Sequence, residues 1–433
     1  MKVMFIQPRA YLGQTTGPPL GFGYLAACLE DVGHKVKILD APILNLRKRK
    51  IKKEIRQFDP DVVGVSSVTH NIGNALSLVE MAKENNPNCM TILGGPHATM
   101  TTKEILSENP YVDFIVRGEG EKTLVELLEK TKEKDFEKVK GISFKQNGRI
   151  IENENREPIA DLDSIPFPAY HLFPMERYKT KVIDREIYGK PGQPMSSIIT
   201  SRGCPNNCIF CSTCALWGKK WRTRSPENVV EELKILRYKY GKKVIDFLDD
   251  TLTVDKKRTM RICELIKEEG LDISWMCLSR VNLFTKEIAS SLKKAGCFAV
   301  TFGFESGVQK TLDFLKKGFT VEDSKRAVQI AKETGLKVAG TFIIGVPGET
   351  RETINENISF VRNLNLNFTN FSILVPFPGT EIYEIAEKNN LLLTRDWSKY
   401  LSTNSVMKVP GFTPRELRKL HKKAKYMMLL PRI

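Results

Sequence analysis

Long apolar runs are missing from this chain: no stretch of its 433 residues approaches the length a bilayer-spanning helix requires. Met1 to Ile6 is a short apolar strand followed by Gln7-Pro8-Arg9, a pattern that fits neither a signal peptide nor a membrane anchor. Histidine is scarce, with five in all and none between His171 and His421, so the middle of the chain lacks the Cys/His mixture common in zinc sites. No G-x-G-x-x-G follows the first strand, which removes the usual dinucleotide-binding turn. Acid is in deficit, and the balance is +16. Five of the cysteines (Cys28, Cys89, Cys263, Cys277, Cys297) are scattered through apolar stretches and read as core thiols of a reducing compartment, so a cytoplasmic protein is expected.

The cationic excess gathers at Arg47 to Arg56 and at Arg415 to Lys425. In the first cluster the charges interleave with Ile51, Glu54 and Ile55, the signature of a solvated amphipathic helix. Nucleic acid is disfavoured as a partner, because the aromatic–basic run of Trp217, Trp221, Arg222 and Arg224 is too small for a stacking platform. Charge alone leaves peripheral membrane contact or a lipid-like substrate open.

A chain of this length exceeds one ordinary core, and its pattern divides accordingly. Over the first 130 residues, apolar strands at Lys2–Gln7, Lys35–Leu39, Val62–Ser66, Thr91–Leu93 and Val112–Val116 alternate with helical spacings. Continuous apolar strands with helical crossovers predict a doubly wound parallel sheet. Its ligands belong at the carboxyl ends of the strands, here Gln7 to Pro19, Ser66 to Asn71, Gly94 to Ala98 and Gly118 to Glu121. Residues 139–190 read as a connector, with a hairpin around Asn147-Gly148. A second series follows, with strands at Ser196–Ser201, Val244–Asp249, Ile273–Leu278, Ala299–Phe304, Lys337–Gly345 and Asn370–Pro376. Six such β/α units suit a partial (β/α)6 barrel over 191–395, and residues 396–433, with a basic helix at Pro414–Met428, form a small cap.

The most specific feature is Cys204, Cys208 and Cys211, a C-x3-C-x2-C triplet at the end of the first barrel strand. Thiolates hold iron–sulfur clusters, and a cuboidal 4Fe–4S cluster with every iron capped needs four of them. Three leave one iron open to an outside ligand. Pro205, Asn206 and Asn207 keep the loop from closing into a helix, and Phe210 would shield the cluster. Cys214 extends the run as a second C-x2-C and would close the fourth iron if it were a ligand. Three buried cysteines or a zinc knuckle are the plainer alternatives.

The triplet, entered through Ser201-Arg202-Gly203, resembles that of the radical S-adenosylmethionine (SAM) superfamily, in which the open iron binds the amino and carboxylate groups of SAM. Gly64-Val65-Ser66-Ser67-Val68-Thr69 and Leu93-Gly94-Gly95-Pro96-His97-Ala98-Thr99 resemble the walls that hold the nucleotide tail in cobalamin-binding domains. The whole chain therefore resembles the cobalamin-dependent, class B radical SAM methylases. That resemblance implies a cobalamin-binding domain at 1–138 and cobalamin contacts from Gly13, Ser66, Ser67, Thr69, His70, Gly94, Gly95, His97, Gly118 and Glu119. It favours Cys204, Cys208 and Cys211 over Cys214 as cluster ligands. It assigns SAM to Phe210, Asp249, Arg280, Glu305, Ser306, Ile344 and Gly345, with Glu305 at the ribose or amino-acid end, Arg280 at the carboxylate and Ile344-Gly345-Val346 at the adenine. The first loop departs from the family pattern: it has no D-x-H-x-x-G, so the lower face of cobalt would lack a His.

The implied activity is reductive cleavage of SAM, fed by an external electron donor of ferredoxin or flavodoxin type, and methylation of an unactivated carbon in a small-molecule, lipid-like or peptide substrate. Some members close rings instead. A methylthiotransferase would carry three further cysteines in the first domain, where only Cys28 and Cys89 occur. A non-catalytic cobalamin or redox module would need Cys214 on the cluster.

Overall fold

The computed structural model describes residues 1–9, 17–181 and 185–429. Two compact units divide the chain: Met1–Tyr178 with Ala215–Gly218, and Lys179–Cys214 with Lys219–Ile433.

In the first unit, strands β1 (Lys2–Gln7), β2 (Lys35–Asp40), β3 (Val62–Ser66), β4 (Met90–Gly94) and β5 (Phe114–Val116) pair in parallel. Val3, Met4, Phe5 and Ile6 of β1 are all buried, as a strand covered on both faces requires. The five run in the order β2-β1-β3-β4-β5, so chain order reverses between β1 and β3, where doubly wound sheets open a ligand crevice. The hairpin expected inside the connector, β6 (Ile142–Gln146) and β7 (Arg149–Glu152), joins this sheet instead of standing apart. Its β6 pairs antiparallel with β5 and covers what would otherwise be an open edge. A second difference lies after β4: Pro96–Met100 is a short helix ahead of Thr102–Glu108. The first-loop residues 10–16, Gly13 among them, lie outside the described residues.

In the second unit, β8 (Met195–Ile198), β11 (Val244–Phe247), β12 (Ser274–Ser279), β13 (Cys297–Glu305), β14 (Lys337–Ile344) and β15 (Phe368–Ile373) form a parallel sheet in the order β15-β14-β13-β12-β11-β8. The six expected strands are all present. The first ends early, at Ile198, because the backbone beyond it is taken elsewhere. Thr200 N donates to Asp249 at 3.2 Å, Arg224 N donates to Thr200 O at 3.0 Å, and β9 (Ser201–Arg202) pairs with β10 (Arg222–Thr223).

Helices between the strands start where capping chemistry allows: Ser225 Oγ accepts from Asn228 N with Pro226 at the first helical position. The barrel core is a row of phenylalanines. Phe304 stacks on Phe342 at 5.3 Å between ring centroids, and Phe342 meets Phe371 at 5.4 Å, one ring from each of three adjacent strands. At the opposite end Ile187 packs with Ala299 and Ala339, closing the floor. The basic helix Pro414–Leu429 lies on β15, with Leu417 and Ala424 buried and His421 Nε2 donating to Phe371 O at 2.7 Å. Its Arg418, Lys419, Lys422 and Lys425 face outward. Among the described residues no helix is long and apolar enough to cross a membrane.

Candidate functional site

At the carboxyl ends of β1, β3, β4 and β5 the first unit holds a cavity of about 260 Å³ with largely apolar walls. Five residues singled out from the sequence line it: Ser66, Gly94, Gly95, Gly118 and Glu119. Ser67, Thr69, His70 and His97 stand behind that wall. Ser67 N donates to Gly94 O at 2.9 Å, His97 N donates to Ser67 O at 3.2 Å, and His97 Nδ1 meets Thr69 Oγ1 at 3.2 Å. Burial pushes the His97 imidazole down to about 4 and lowers His70 as well, so both rings are neutral near pH 7. Glu119 accepts from Ile159 N at 2.8 Å and so also anchors the connector.

Gly95 is required by two constraints. Its φ is +90°, and a Cβ there would stand 2.6 Å from Ser66 Oγ and 2.7 Å from Ser67 O. The resulting smooth, hydroxyl-edged wall fits a bulky tail inserted edge-on. Leu216 and Trp217 also line the cavity. Nothing in the sequence pattern assigned them there, since they follow the cysteine run yet belong to the first unit. A larger groove of about 650 Å³, edged by Asn88, Asp113 and Asn147, lies at the opposite, entry ends of β4 and β5, away from these loops.

In the second unit the cysteine loop is pinned at its centre: Ile209 N donates to Leu315 O at 3.3 Å, and Ile209 O accepts from Ile382 N at 2.9 Å. Asn206 Nδ2 donates to Cys204 Sγ at 3.2 Å. Cys214 donates its thiol to Asn206 O at 3.0 Å and to Cys204 O at 3.5 Å. Burial, with Cys204, Cys211 and Cys208 nearby, pushes that thiol up to about 11. Cys214 therefore already has acceptors for its proton. Among the described residues no three His, Cys, Asp or Glu side chains surround a single ion. A cubane places each thiolate on a separate iron, which calls for a wider spread than one ion would. One loop carrying three cysteines, with the cationic Arg280 Nη1 3.6 Å from Cys208 Sγ, fits such an anionic cluster.

Around the same point lie Glu305, Lys317, Phe210 and Phe319. Glu305 sits at the end of β13 with φ +63°, a left-handed conformation that non-glycine residues rarely take. Its Oε1 accepts from Lys317 Nζ at 3.2 Å, and both side chains are buried. Lys317 Nζ lies 5.7 Å from the Phe210 ring and 5.4 Å from that of Phe319. Arg280 donates to Lys317 O and lies 5.4 Å over Phe319, while its buried Nε has no partner. An orphaned guanidinium nitrogen beside a buried ion pair fits a zwitterionic ligand. Sequence pattern did not single out Lys317, whose Leu-Lys-Lys-Gly context looks like an ordinary solvated turn.

Other assigned residues are committed differently. Asp249 is fully buried, and its carboxylate accepts from Thr200 Oγ1 at 2.7 Å, from Thr200 N, and from Ser201 Oγ. Those bonds shape the approach to Gly203-Cys204. Ser306 Oγ accepts from Val308 N at 3.1 Å. Ile344 is fully buried, and Gly345 has φ +79°. Glu349 Oε2 accepts from Gly345 N at 2.7 Å and from Val346 N at 2.9 Å, its Oε1 is buried without a partner, and burial pushes its carboxyl up to about 7. The run after the cysteines is no nucleic-acid platform: Arg222 and Arg224 are buried, and Arg224 pairs with the buried Glu232.

Comparison with known proteins matches residues 13–128 to the B12 binding domain and residues 198–361 to the Radical SAM superfamily. An uncharacterized methyltransferase of Pyrococcus horikoshii is 43% identical over 98% of this chain and 91% of its own length. The anaerobic magnesium-protoporphyrin IX monomethyl ester cyclase of Rubrivivax gelatinosus is 30% identical over 96% of this chain and 75% of that protein. Among solved structures, the radical SAM methyltransferase TsrM of Kitasatospora setae, with cobalamin and a 4Fe–4S cluster, superposes with a TM-score of 0.75 at 21% identity, covering 91% of this chain and 76% of that one. That last likeness concerns the fold. With a B12-binding domain ahead of a radical SAM domain, and full-length relatives at these identities, the chain belongs to the cobalamin-binding radical SAM enzymes.

Proposed function

We propose that this enzyme methylates an unactivated carbon. With its cofactors bound, the family's chemistry supplies a 5′-deoxyadenosyl radical from SAM and a methyl group from cobalamin, and the protein positions both. Cys204, Cys208 and Cys211 would hold the cluster. Phe210, Glu305, Arg280 and Lys317 would enclose the amino-acid end of SAM, and Ile344 with Gly345 its adenine. Asp249 acts one step back, setting the strand end from which the cysteine loop leaves. In the first unit Ser66, Gly94, Gly95 and Gly118 would flank the nucleotide tail, with Ser67, Thr69, His70, His97 and Glu119 bracing that wall. The observation that carries the reading is the convergence of Cys208, Arg280, Lys317 and Glu305 at one point, together with 43% identity to a methyltransferase.

No side chain here is required as an acid or base on the substrate, because hydrogen abstraction by a carbon radical needs none. Reduction calls for an external donor, of ferredoxin or flavodoxin type. The cationic face of the Pro414–Leu429 helix favours an anionic or membrane-associated substrate. The nine free cysteines suit a reducing, cytoplasmic setting.

The test is incubation of enzyme, reductant and cobalamin with methyl-labelled SAM and a cell extract. Methylation yields 5′-deoxyadenosine and S-adenosylhomocysteine together, plus a labelled product. Ring closure, favoured by the 30% identity to the cyclase, yields 5′-deoxyadenosine without S-adenosylhomocysteine.

A further inference from the structure

The Pro414–Leu429 helix divides its surface by charge. Leu417, Leu420, His421 and Ala424 are buried against the barrel. At about 100° per residue, the arc directly opposite carries Arg415, Arg418, Lys419, Lys422, Lys423 and Lys425, all exposed. The one acid of the helix, Glu416, is taken by Arg351. Lys423 Nζ donates to Asn355 Oδ1 at 3.2 Å, and among the described residues none of these cations meets a carboxylate.

Folding alone gives no reason for this arrangement. Arg415 and Lys419, Arg418 and Lys422, and Lys419 and Lys423 stand four residues apart, a spacing at which like charges destabilise a helix. The favourable field of a helix C-terminus acts within the last turn, which holds none of them. Other exposed helices of this unit intersperse acids. Along Val321–Glu333, Lys325 pairs with Glu322 at 2.6 Å and Arg326 with Asp323, and along Lys256–Glu268, Arg261 meets Glu268 at 3.1 Å. A stripe of repelling cations held on a rigid support points to an anion outside the chain.

We propose that this stripe docks the enzyme peripherally on an anionic lipid bilayer. The cations run about 15 Å along a convex helix face, on long flexible side chains with apolar stems. Mobile headgroups gather under such charges, whereas a folded protein or a duplex presents its anions at fixed points. Tyr426 stands in the same arc and is 62% exposed, an aromatic of the kind that settles at headgroup level, and Met427 and Met428 follow it half-buried. The buried side of the helix reaches the carboxyl end of β14, where a Cβ on Gly345 would stand 3.5 Å from Leu417 Cδ1. Docking therefore holds that end of the barrel about one helix diameter, roughly 10 Å, from the lipid surface. The proposal does not depend on the methylation reading, since vesicle binding is measured without SAM or reductant.

The experiment is co-sedimentation of the full-length, cluster-reconstituted enzyme with vesicles of phosphatidylcholine, alone or mixed with phosphatidylglycerol, at about 0.1 M salt. Wild type should bind the mixed vesicles at least about tenfold more tightly than the neutral ones, and added salt should erase the difference. Arg418→Gln, Lys419→Gln, Lys422→Gln and Lys425→Gln combined should lower partitioning onto mixed vesicles by about a hundredfold, and Lys419→Gln with Lys422→Gln by about tenfold. The control removes the same charge from the other basic helix, as Arg47→Gln, Arg49→Gln, Lys50→Gln and Lys53→Gln, all exposed positions, and should stay within about threefold of wild type. Circular dichroism melting and iron content establish that each variant folds. Equal losses in the two fourfold variants would assign the binding to net charge instead of this face and overturn the proposal. So would a wild type that shows no preference for anionic vesicles. A wild type that ignores vesicles but is held through these four side chains by polyglutamate or RNA gives the stripe to an acidic protein or a nucleic acid, and overturns it as well.

Discussion

Glu349 gives the second unit a pH dependence that one substitution should remove. Its carboxyl is buried at the end of the Gly345-Val346-Pro347-Gly348 turn, with one oxygen accepting from two backbone N–H groups and the other meeting no donor. Burial outweighs those two bonds and raises the pKa from 4.5 to about 7. The folded state thus holds a proton that the unfolded chain releases. Stability conferred by the protonated carboxyl is fully present below about pH 4.5 and is lost as pH rises through 7. The span between those values corresponds to about 3 kcal/mol. Glutamine has the same shape, its carbonyl oxygen can accept the same two N–H groups, and it does not titrate. Urea unfolding of wild type and Glu349→Gln, measured from pH 5 to pH 8, should show the stability difference shifting by about 2.5 kcal/mol in favour of the variant. The refuting result is a difference that stays flat with pH, or one that moves toward wild type as pH rises.

Removing any one of Cys204, Cys208 or Cys211 as Ala should abolish the 4Fe–4S absorbance of reconstituted protein, whereas Cys214→Ala should keep both the cluster and SAM cleavage. Cleavage retained by Cys208→Ala would remove that residue from the ligand set. Adding hydroxocobalamin should quench Trp217 fluorescence, the lost signal being absent from Trp217→Phe, because this side chain lines the cavity of the first unit. Electron paramagnetic resonance of the cob(II)alamin form should show no nitrogen superhyperfine splitting, since the first loop has no D-x-H-x-x-G histidine; observed splitting would put a nitrogen ligand on cobalt.

What the sequence disclosed follows from how each feature is encoded. Strands buried on both faces are continuous apolar runs, so β1, β3 and the six barrel strands were legible within a few residues, and a three-cysteine loop is rare enough to be read directly. Strand ends were less legible because they are set by tertiary demands: β8 stops at Ile198 since Asp249 and Arg224 claim the backbone of Thr200. The hairpin around Asn147-Gly148 was visible from its turn, but not that an uncovered β5 edge would draw it into the first sheet. Local pattern is weakest on side-chain commitment. Asp249 and Asp250 look alike in sequence, yet Asp249 spends its carboxylate on Thr200 and Ser201, while the Asp250 carboxylate accepts from Thr213 Oγ1 at 2.8 Å. Lys316 and Lys317 are adjacent in one turn; Lys316 pairs with Glu381 on the surface, and Lys317 is buried against Glu305. The difference between those two lysines arises at the end of β13, where Gly303 leaves the room and Glu305 supplies the charge.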